Sequence, residues 1–226
     1  MAGNSDVVAV VDYHKGNLLS VERALSAAGA TVIVTDEAAQ IARAAAVVVP
    51  GVGAFDDAMT FMRASGQDDA IREVASSGRA VLGICLGMQL LFERGNEHAA
   101  PPAPGSVPAW VPGLSILPGE VSRLEGRGVK VPHVGWNSVG LTHVGERCPL
   151  FAGIPDETYF YHTHSYACHP SDEGQVAATT EHGVRFASAV WNGGLVFGTQ
   201  FHPEKSSTAG QRLVSNFVSV AMRGAL

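Results

Sequence analysis

Short, uninterrupted hydrophobic runs alternate with amphipathic segments along the first part of the chain. Four of these runs have the apolar character of strands buried on both faces of a parallel sheet: Val7–Val11, Thr31–Val34, Ala46–Val49 and Ala80–Ile84. Apolar residues at helical spacing follow three of the runs and predict helices over residues 18–28, 37–44 and 86–92. This alternation predicts right-handed βαβ units and an open parallel sheet.

The second half of the chain has a different pattern, in which short strand-like segments are separated by turns. Strands are predicted at residues 121–124, 129–131, 136–141, 158–161, 175–180, 185–191 and 195–199. Asn192-Gly193-Gly194 is a typical hairpin turn, and Ser207 or Thr208 can cap a final helix. The sequence therefore predicts an α/β fold in a single domain over residues 1–226, with an open, mostly parallel sheet, flanking helices and an antiparallel extension.

Composition narrows the functional classes. The formal net charge is −6 and there is no basic run, so a nucleic-acid partner is not expected. No signal-peptide pattern and no apolar run of the roughly 18 residues that span a bilayer occurs, which predicts a cytoplasmic protein without a membrane partner. The spacing and odd number of the cysteines (Cys85, Cys148 and Cys168) argue against a disulfide framework. A proline-rich segment at residues 99–112 predicts irregular surface structure.

Cys85 lies where the fourth predicted strand gives way to a helix. The surrounding sequence, Gly83-Ile84-Cys85-Leu86-Gly87, has the spacing of a nucleophile elbow, a sharp turn that needs small neighbours. A thiol at the start of a helix also feels the first-turn N–H groups and the helix dipole, which favour a thiolate. A buried structural cysteine is the ordinary alternative, but the two glycines favour a nucleophile.

A glycine-rich segment, Pro50–Gly53, ends the third predicted strand. It lies at the carboxyl end of its strand, as Cys85 does, and ligands of open parallel sheets bind beyond those ends. Its two glycines let the backbone approach a ligand and let a peptide plane rotate. A tight loop is the commoner meaning of such a segment, but beside a nucleophile elbow it predicts backbone N–H groups for an oxyanion.

His202 is the best candidate for the base that a thiol nucleophile needs. It directly follows a predicted strand, and Pro203 is expected to keep the backbone extended. His202 and Glu204 then project to the same side, so that the carboxylate can accept a hydrogen bond from the imidazole and fix its tautomer. Polar surface residues would explain an isolated His-X-Glu pattern, but the position at a strand end favours a catalytic pair.

The other histidines are less informative. His162 and His164 form a His-X-His pattern with His169 close by, but no carboxylate or cysteine stands at ligand spacing, so neither a metal site nor a cofactor is predicted. The remaining histidines are expected in loops or on the surface: His14, His98, His133, His143 and His182.

Together these motifs resemble those of the class I (triad) glutamine amidotransferases. The resemblance lies in the cysteine elbow with Gln89 one helical turn further on, in the PGVG segment, and in the FHPE segment at residues 201–204. Residues 11–17 (VDYHKGN), 132–137 (PHVGWN) and 201–206 (FHPEKS) are similar to the glutaminase subunits of imidazole glycerol phosphate synthase, an enzyme of histidine biosynthesis. The resemblance covers essentially the whole chain.

The resemblance implies roles for individual residues. Cys85 would attack the carboxamide of glutamine and form a thioester, His202 would transfer the protons, and Glu204 would orient His202. The N–H of Leu86 and a peptide within Gly51–Gly53 would bind the oxyanion. The full set of implied substrate-binding residues is Gly51, Gly53, Leu86, Gln89, Ser165 and Tyr166.

The resemblance also implies a partner. Ammonia would pass to a cyclase subunit (HisF), a (β/α)8 barrel, that yields imidazole glycerol phosphate and an aminoimidazole ribotide. The residues expected at or near that contact are Asn17, Trp136, Asn137 and Lys205. His14, where the family usually has glycine, and Val134 depart from the pattern on the interface side.

Two other functions remain open on the sequence. One is a glutaminase of another synthase, such as the pyridoxal phosphate or anthranilate enzyme, which the PHVGWN and VDY motifs disfavour. The other is a protein without enzymatic activity in which an oxidisable Cys85 acts as a redox sensor; it would not need His202 and Glu204.

Overall fold

Strands and helices alternate in the first half of the chain, as predicted. The structure, a computed structural model, describes residues 5–15, 17–98, 109–126, 128 and 130–223. Its first nine elements are β1 Ser5–Val11, α1 Leu18–Ala27, β2 Thr31–Thr35, α2 Ala38–Arg43, β3 Ala44–Val49, α3 Phe55–Ser65, α4 Gln67–Ser76, β4 Ala80–Ile84 and α5 Leu86–Leu90.

Short strands dominate the second half. They are β5 Phe92–Gly95, β6 Val111–Pro112, β7 Leu117–Arg123, β8 His133–Leu141, β9 Thr158–His164, β10 Tyr166–Pro170, β11 Val176–Glu181, β12 Arg185–Trp191 and β13 Val196–Thr199, followed by the helix α6 Ser207–Arg223. Short 3-10 turns lie at Gly145–Arg147, Pro149–Phe151, Glu173–Gln175 and Pro203–Lys205.

These strands form one sheet with a parallel centre. The order is β2-β1-β3-β4-β13-β12-β10-β7-β5-β6, and β11, β8 and β9 continue from β12. Along this order, the strands from β2 to β13 pair in parallel. From β13 through β12 and β10 to β7 the pairing is antiparallel, and β7 pairs in parallel with β5. The predicted fold class is confirmed: a parallel sheet with flanking helices and an antiparallel extension.

The sheet separates two hydrophobic cores. In β1, Ala9 and Val11 point into one core and Val8 and Val10 point into the other. Helices α3 and α4 contribute to the first core, and α1 and α6 contribute to the second. Because both faces are covered, β3 and β4 carry no polar side chain and β1 is apolar from Val7 to Val11, which is why uninterrupted runs predicted these strands.

The helix predicted over residues 86–92 is wrong at its end. Helix α5 ends at Leu90, and Phe92 begins β5. The carbonyl of Leu91 accepts hydrogen bonds from the N–H groups of Ile116 and Leu117, so the chain leaves the helix to join the sheet. In the same way, the helix predicted over residues 37–44 ends at Arg43, because residue 44 already begins β3.

Other elements were missed or wrongly predicted. Helices α3 and α4 and strand β10 were not predicted, and the strand predicted at 129–131 is wrong, since Val131 lies in a bend and residue 129 is outside the described residues. Within the proline-rich segment, residues 99–108 are also outside them, whereas residues 111–112 pair with β5 as an edge strand, where proline is tolerated. Among the described helices, none is long and apolar enough to cross a membrane.

Candidate active site

Cys85 lies on the strained turn between β4 and α5. Its φ is 55°, a conformation that costs energy for any residue with a side chain and is typical of a nucleophile elbow. A Cβ atom added to Gly87 would lie 1.8 Å from the carbonyl oxygen of Val49, and one added to Gly83 would lie 2.6 Å from the Gly87 carbonyl carbon. The expectation that both positions require glycine is confirmed.

The predicted base and its orienting carboxylate meet as expected. His202 Nδ1 lies 2.9 Å from Glu204 Oε1, and both side chains are only 3% exposed. The backbone is extended at His202 but turns into a 3-10 helix at Pro203–Lys205, so the predicted extended segment is wrong beyond His202. This turn, closed by the N–H of Lys205 donating to the His202 carbonyl, is what brings the carboxylate back to the imidazole.

The pKa of His202 depends on both Cys85 and Glu204. Burial lowers the pKa of His202, but the charges of Cys85 and Glu204, together with the hydrogen bond to Glu204, outweigh burial and raise the pKa to about 9. At neutral pH the His202 ring is therefore a buried imidazolium that contacts Glu204. Within the described part of the chain, His202 Nε2 has no partner at hydrogen-bond distance, so it is the nitrogen that can exchange a proton with a reacting group.

A cavity of about 260 Å³ opens beside Cys85. It brings together five of the six residues predicted to bind glutamine, whereas Gly51 does not line it. A Cβ atom on Gly51 would lie 2.5 Å from Leu86 Cβ, so this glycine packs behind the cavity wall. The lining residues are Val52, Gly53, Cys85, Leu86, Gln89, Glu97, Pro132, Thr163, His164, Ser165 and Tyr166.

Two acceptor groups of this cavity can face a cation. Gln89 Nε2 donates to the Tyr166 carbonyl and to Gln200 Oε1, both at 3.1 Å, which leaves Gln89 Oε1 for a ligand. Glu97, which the sequence analysis missed, also lines the cavity. Burial, together with the negative charge of Asp56, raises the pKa of Glu97 to about 7. Nothing in its spacing marks Glu97 in the sequence; only the fold places it here.

A cluster of buried histidines lies next to the cavity. The expectation that His133 is a loop or surface residue is wrong, because it lies on β8 and is 3% exposed, alongside His162 at 0% and His164 at 6%. His164 Nδ1 donates to the Tyr166 carbonyl (2.8 Å), so His164 Nε2 accepts from His133 Nδ1 at 3.1 Å. These bonds fix both tautomers.

Three histidine nitrogens, one each from His133, His162 and His164, lie within 4.8 Å of one another, which raises the possibility of a metal site. The rings of His133 and His162, however, are stacked, with centroids 4.6 Å apart and planes inclined by 25°. A metal ion bound by both rings would have to lie in both ring planes, and nearly parallel planes do not meet nearby. The donor set as arranged does not fit a metal ion.

The residues predicted to contact a partner do not line the cavity. Strands β8 and β9 pair with Trp136 opposite Tyr161, and this face exposes large apolar side chains: Val134 (58%), Trp136 (52%) and Tyr159 (60%). Asn17 is exposed, and Lys205 is half-buried. Asn17 precedes α1 but forms no side-chain cap. The side-chain amide of Asn137 donates to the Glu181 carbonyl.

Comparison with known proteins identifies the family. A model of the family described as glutamine amidotransferase class-I matches residues 9–221. The chain is 49% identical to the imidazole glycerol phosphate synthase subunit HisH of Moorella thermoacetica, over 93% of both chains, and 45% identical to HisH of a Synechococcus strain, over 96% of this chain and 94% of the relative.

Solved structures show the same fold. A glutamine amidotransferase crystal structure aligns with a TM-score of 0.68 at 20% identity, over 96% of this chain and 99% of the other. The structure of PurLQS from Thermotoga maritima aligns at 0.70 and 16% identity, over 94% and 97%. At the level of sequence, the chain belongs to the class I glutamine amidotransferase family and, within it, to the HisH subunits of imidazole glycerol phosphate synthase.

Proposed function

We propose that this chain hydrolyses glutamine to glutamate and ammonia through Cys85, His202 and Glu204. The observation that carries the proposal is the strained cysteine elbow together with the buried pair of His202 and Glu204. The charge of Cys85 is one of the causes that raise the pKa of His202. A redox sensor would need neither the buried pair nor a lined cavity. Membership of the HisH subunits supports a place for this reaction in histidine biosynthesis.

In the first half of the reaction, Cys85 Sγ attacks the carboxamide carbon of glutamine, and the carbonyl π electrons move to oxygen. The Leu86 N–H and a peptide N–H within Gly51–Gly53 stabilise the oxyanion. His202 Nε2 then gives its proton to the departing nitrogen, the C–N bond breaks, and ammonia leaves behind a thioester.

In the second half, water replaces ammonia. Neutral His202 takes a proton from the water as it attacks the thioester carbon, the C–S bond breaks, and glutamate leaves with Cys85 again a thiolate. Glu204 stabilises the imidazolium that this step restores, and the Nδ1–Oε1 contact keeps Nε2 facing the reacting atoms.

Substrate recognition uses the two acceptors of the cavity. We assign the α-ammonium of glutamine to the Glu97 carboxylate and to Gln89 Oε1, because these groups line the cavity and one carries a negative charge when ionised. We assign the α-carboxylate to the side of the cavity lined by Gly53, Ser165 and Tyr166. Such a two-ended clamp would hold the side-chain amide at Cys85.

The subunit names of the relatives imply a synthase with a second, cyclase subunit. We propose that this partner is a (β/α)8 barrel that receives the ammonia and that it contacts the exposed β8–β9 face around Trp136, together with Asn17, Asn137 and Lys205. Large exposed aromatic side chains support an interface there. We also propose that residues 1–226 form a single domain. The proposed location is the cytoplasm, where cysteines stay reduced.

The test is glutamate release from glutamine by this chain, with and without the purified cyclase subunit and its ribotide ligand. A large rise with the partner that the Cys85→Ala variant loses supports both the chemistry and the pathway. A rise only with the pyridoxal phosphate or anthranilate synthase partner would refute the histidine assignment. No glutamate release with any of these partners would refute the glutaminase itself.

A further inference from the structure

Gln200 is a completely buried polar side chain whose function is not explained by packing alone. It follows β13 directly, and its exposed fraction is 0%. Strand β13 pairs in parallel with β4 so that Thr199 lies opposite Ile84, and the next residues along the two strands are Gln200 and Cys85. The backbone supports this placement, because the Cys85 N–H donates to the Thr199 carbonyl at 2.7 Å.

The Gln200 amide nitrogen reaches the nucleophile. Gln200 Nε2 lies 3.6 Å from Cys85 Sγ, within the longer range that hydrogen bonds to sulfur allow. The Thr163 carbonyl oxygen also lies near the thiol, at 3.7 Å; it can accept from a thiol but repels a thiolate. Of these two hydrogen-bonding neighbours, Gln200 is therefore the one that favours the charged, reactive form of Cys85, in addition to the imidazolium of His202.

A second glutamine fixes which end of the Gln200 amide faces the sulfur. Gln89 Nε2 donates to Gln200 Oε1 and to the Tyr166 carbonyl, both at 3.1 Å. Rotating the Gln200 amide by half a turn would place its NH₂ group against the NH₂ group of Gln89 and its oxygen against Cys85 Sγ. The contact between the two NH₂ groups would be repulsive, so donation runs from Gln89 to Gln200 and from Gln200 to Cys85 Sγ.

We propose that Gln200 is a further functional residue of the glutaminase site, a hydrogen-bond donor that stabilises the Cys85 thiolate and is held in its donating orientation by Gln89. The inference deepens the proposed function and rests on Cys85 being the nucleophile. It also joins the two halves of the site: Gln89 presents an acceptor to the substrate with its oxygen and orients the donor to the nucleophile with its nitrogen.

The test measures the reactivity of Cys85 directly, by its rate of alkylation with iodoacetamide, with peptide mass spectrometry to separate it from Cys148 and Cys168. Gln200→Met keeps the length of the side chain and removes the N–H donor; Gln200→Glu keeps the shape and places a carboxylate beside the sulfur. We expect alkylation at pH 7 to fall about tenfold with Met and further with Glu, since hydrogen bonds to charged groups are the strong ones. The difference from wild type narrows as pH rises, because the thiolate then forms without help.

The matched control is Gln67→Met. Gln67 is equally buried and donates through Nε2 to two backbone carbonyls, those of Asp12 and Asp36, so its loss disturbs the fold without removing a donor to the sulfur. The Gln200 variants are compared with it at matched thermal stability; where Gln200→Met is too unstable, the near-isosteric Gln200→Glu decides. Alkylation at the wild-type rate in the Gln200 variants, or an equal fall in Gln67→Met, would overturn the inference.

The outcome separates this inference from the proposed function. If alkylation of Cys85 depends on Gln200 but the chain releases no glutamate with any synthase partner, the thiolate contact is supported and the glutaminase proposal is refuted. If the chain releases glutamate through Cys85 but the alkylation rate is unchanged in the Gln200 variants, the glutaminase proposal is supported and the inference about Gln200 is refuted.

Discussion

His162 makes the stability of this protein dependent on pH. Its side chain is completely buried between aromatic neighbours, with Phe186 and Phe201 packed edge-on against it, and neither ring nitrogen has a hydrogen-bond partner among the described residues. Burial, with smaller effects from the neighbouring histidines, lowers its pKa to about 2. The folded protein therefore holds His162 neutral at any pH at which it is studied, whereas the unfolded chain can protonate it.

The sign and size of the effect follow from linkage. Below pH 6.5 the unfolded state binds a proton at His162 and the folded state does not, so the free energy of unfolding falls as pH falls. At pH 5 this amounts to about 2 kcal/mol relative to pH 7.5, since one pKa unit corresponds to about 1.4 kcal/mol. Glu97, whose folded pKa is raised to about 7, acts in the opposite direction over this range, so the net pH dependence of the wild type is a sum of several groups.

The variant His162→Leu isolates the contribution of His162 to this pH dependence. It removes the titratable ring, and its packing cost does not depend on pH. Urea unfolding followed by tryptophan fluorescence at pH 7.5 and pH 5 should show that the variant loses about 2 kcal/mol less than the wild type between the two values. His143→Gln, at a histidine with an exposed side chain, should leave the pH dependence as it is. Equal losses in His162→Leu and wild type would refute the reasoning.

Three further predictions concern the proposed reaction, each measured in the complex with the cyclase subunit. Glu204→Gln removes the charge that helps to raise the pKa of His202, and kcat should fall roughly 100-fold; an unchanged kcat would exclude the triad. Glu97→Gln should raise KM for glutamine roughly tenfold with little change in kcat, and the wild-type KM should rise as pH falls below about 7, where Glu97 becomes neutral; a change in kcat alone would contradict its binding role. Trp136→Ala should weaken cyclase binding roughly tenfold by calorimetry, at unchanged thermal stability; unchanged affinity would place the interface elsewhere.

Local physical constraints explain what could be predicted from the sequence. The elbow at Cys85 was predictable because two glycines are needed where a side chain at Gly87 would collide with the Val49 carbonyl. The pair of His202 and Glu204 was predictable because two residues of separation suffice for contact, although the structure achieves it with a 3-10 turn and not with an extended strand. In both cases the signal lies within a few residues of chain.

Two features near the site, Glu97 and the buried His133, were not predicted because they depend on pairing between distant segments. Glu97 reaches the cavity because the chain leaves α5 at Leu90 and enters β5, a turn that depends on the carbonyl of Leu91 bonding to residues 116 and 117. His133 is buried because β8 pairs with β9 and places it opposite His164. Neither residue has neighbours in sequence whose type or spacing indicates burial or a ligand, so the sequence pattern could not distinguish them from surface residues.

The arrangement of the whole site follows from one strand pairing. Strands β4 and β13 are far apart in sequence but adjacent and parallel in the sheet, with Gly83 opposite Gly198 and Ile84 opposite Thr199. Each strand ends at this register, so the elbow on one side meets the segment that carries Gln200, His202 and Glu204 on the other. A slip of one residue would turn every side chain of β13 to the opposite face of the sheet and would separate the nucleophile from its donor and its base together. At this register the Gly198 position has no space for a side chain, since a Cβ atom there would lie 2.7 Å from Met88 Cγ in α5 and 2.9 Å from Val190 Cγ2 in β12. A glycine in β13 therefore lets the strand pack closely against the helix that follows the nucleophile.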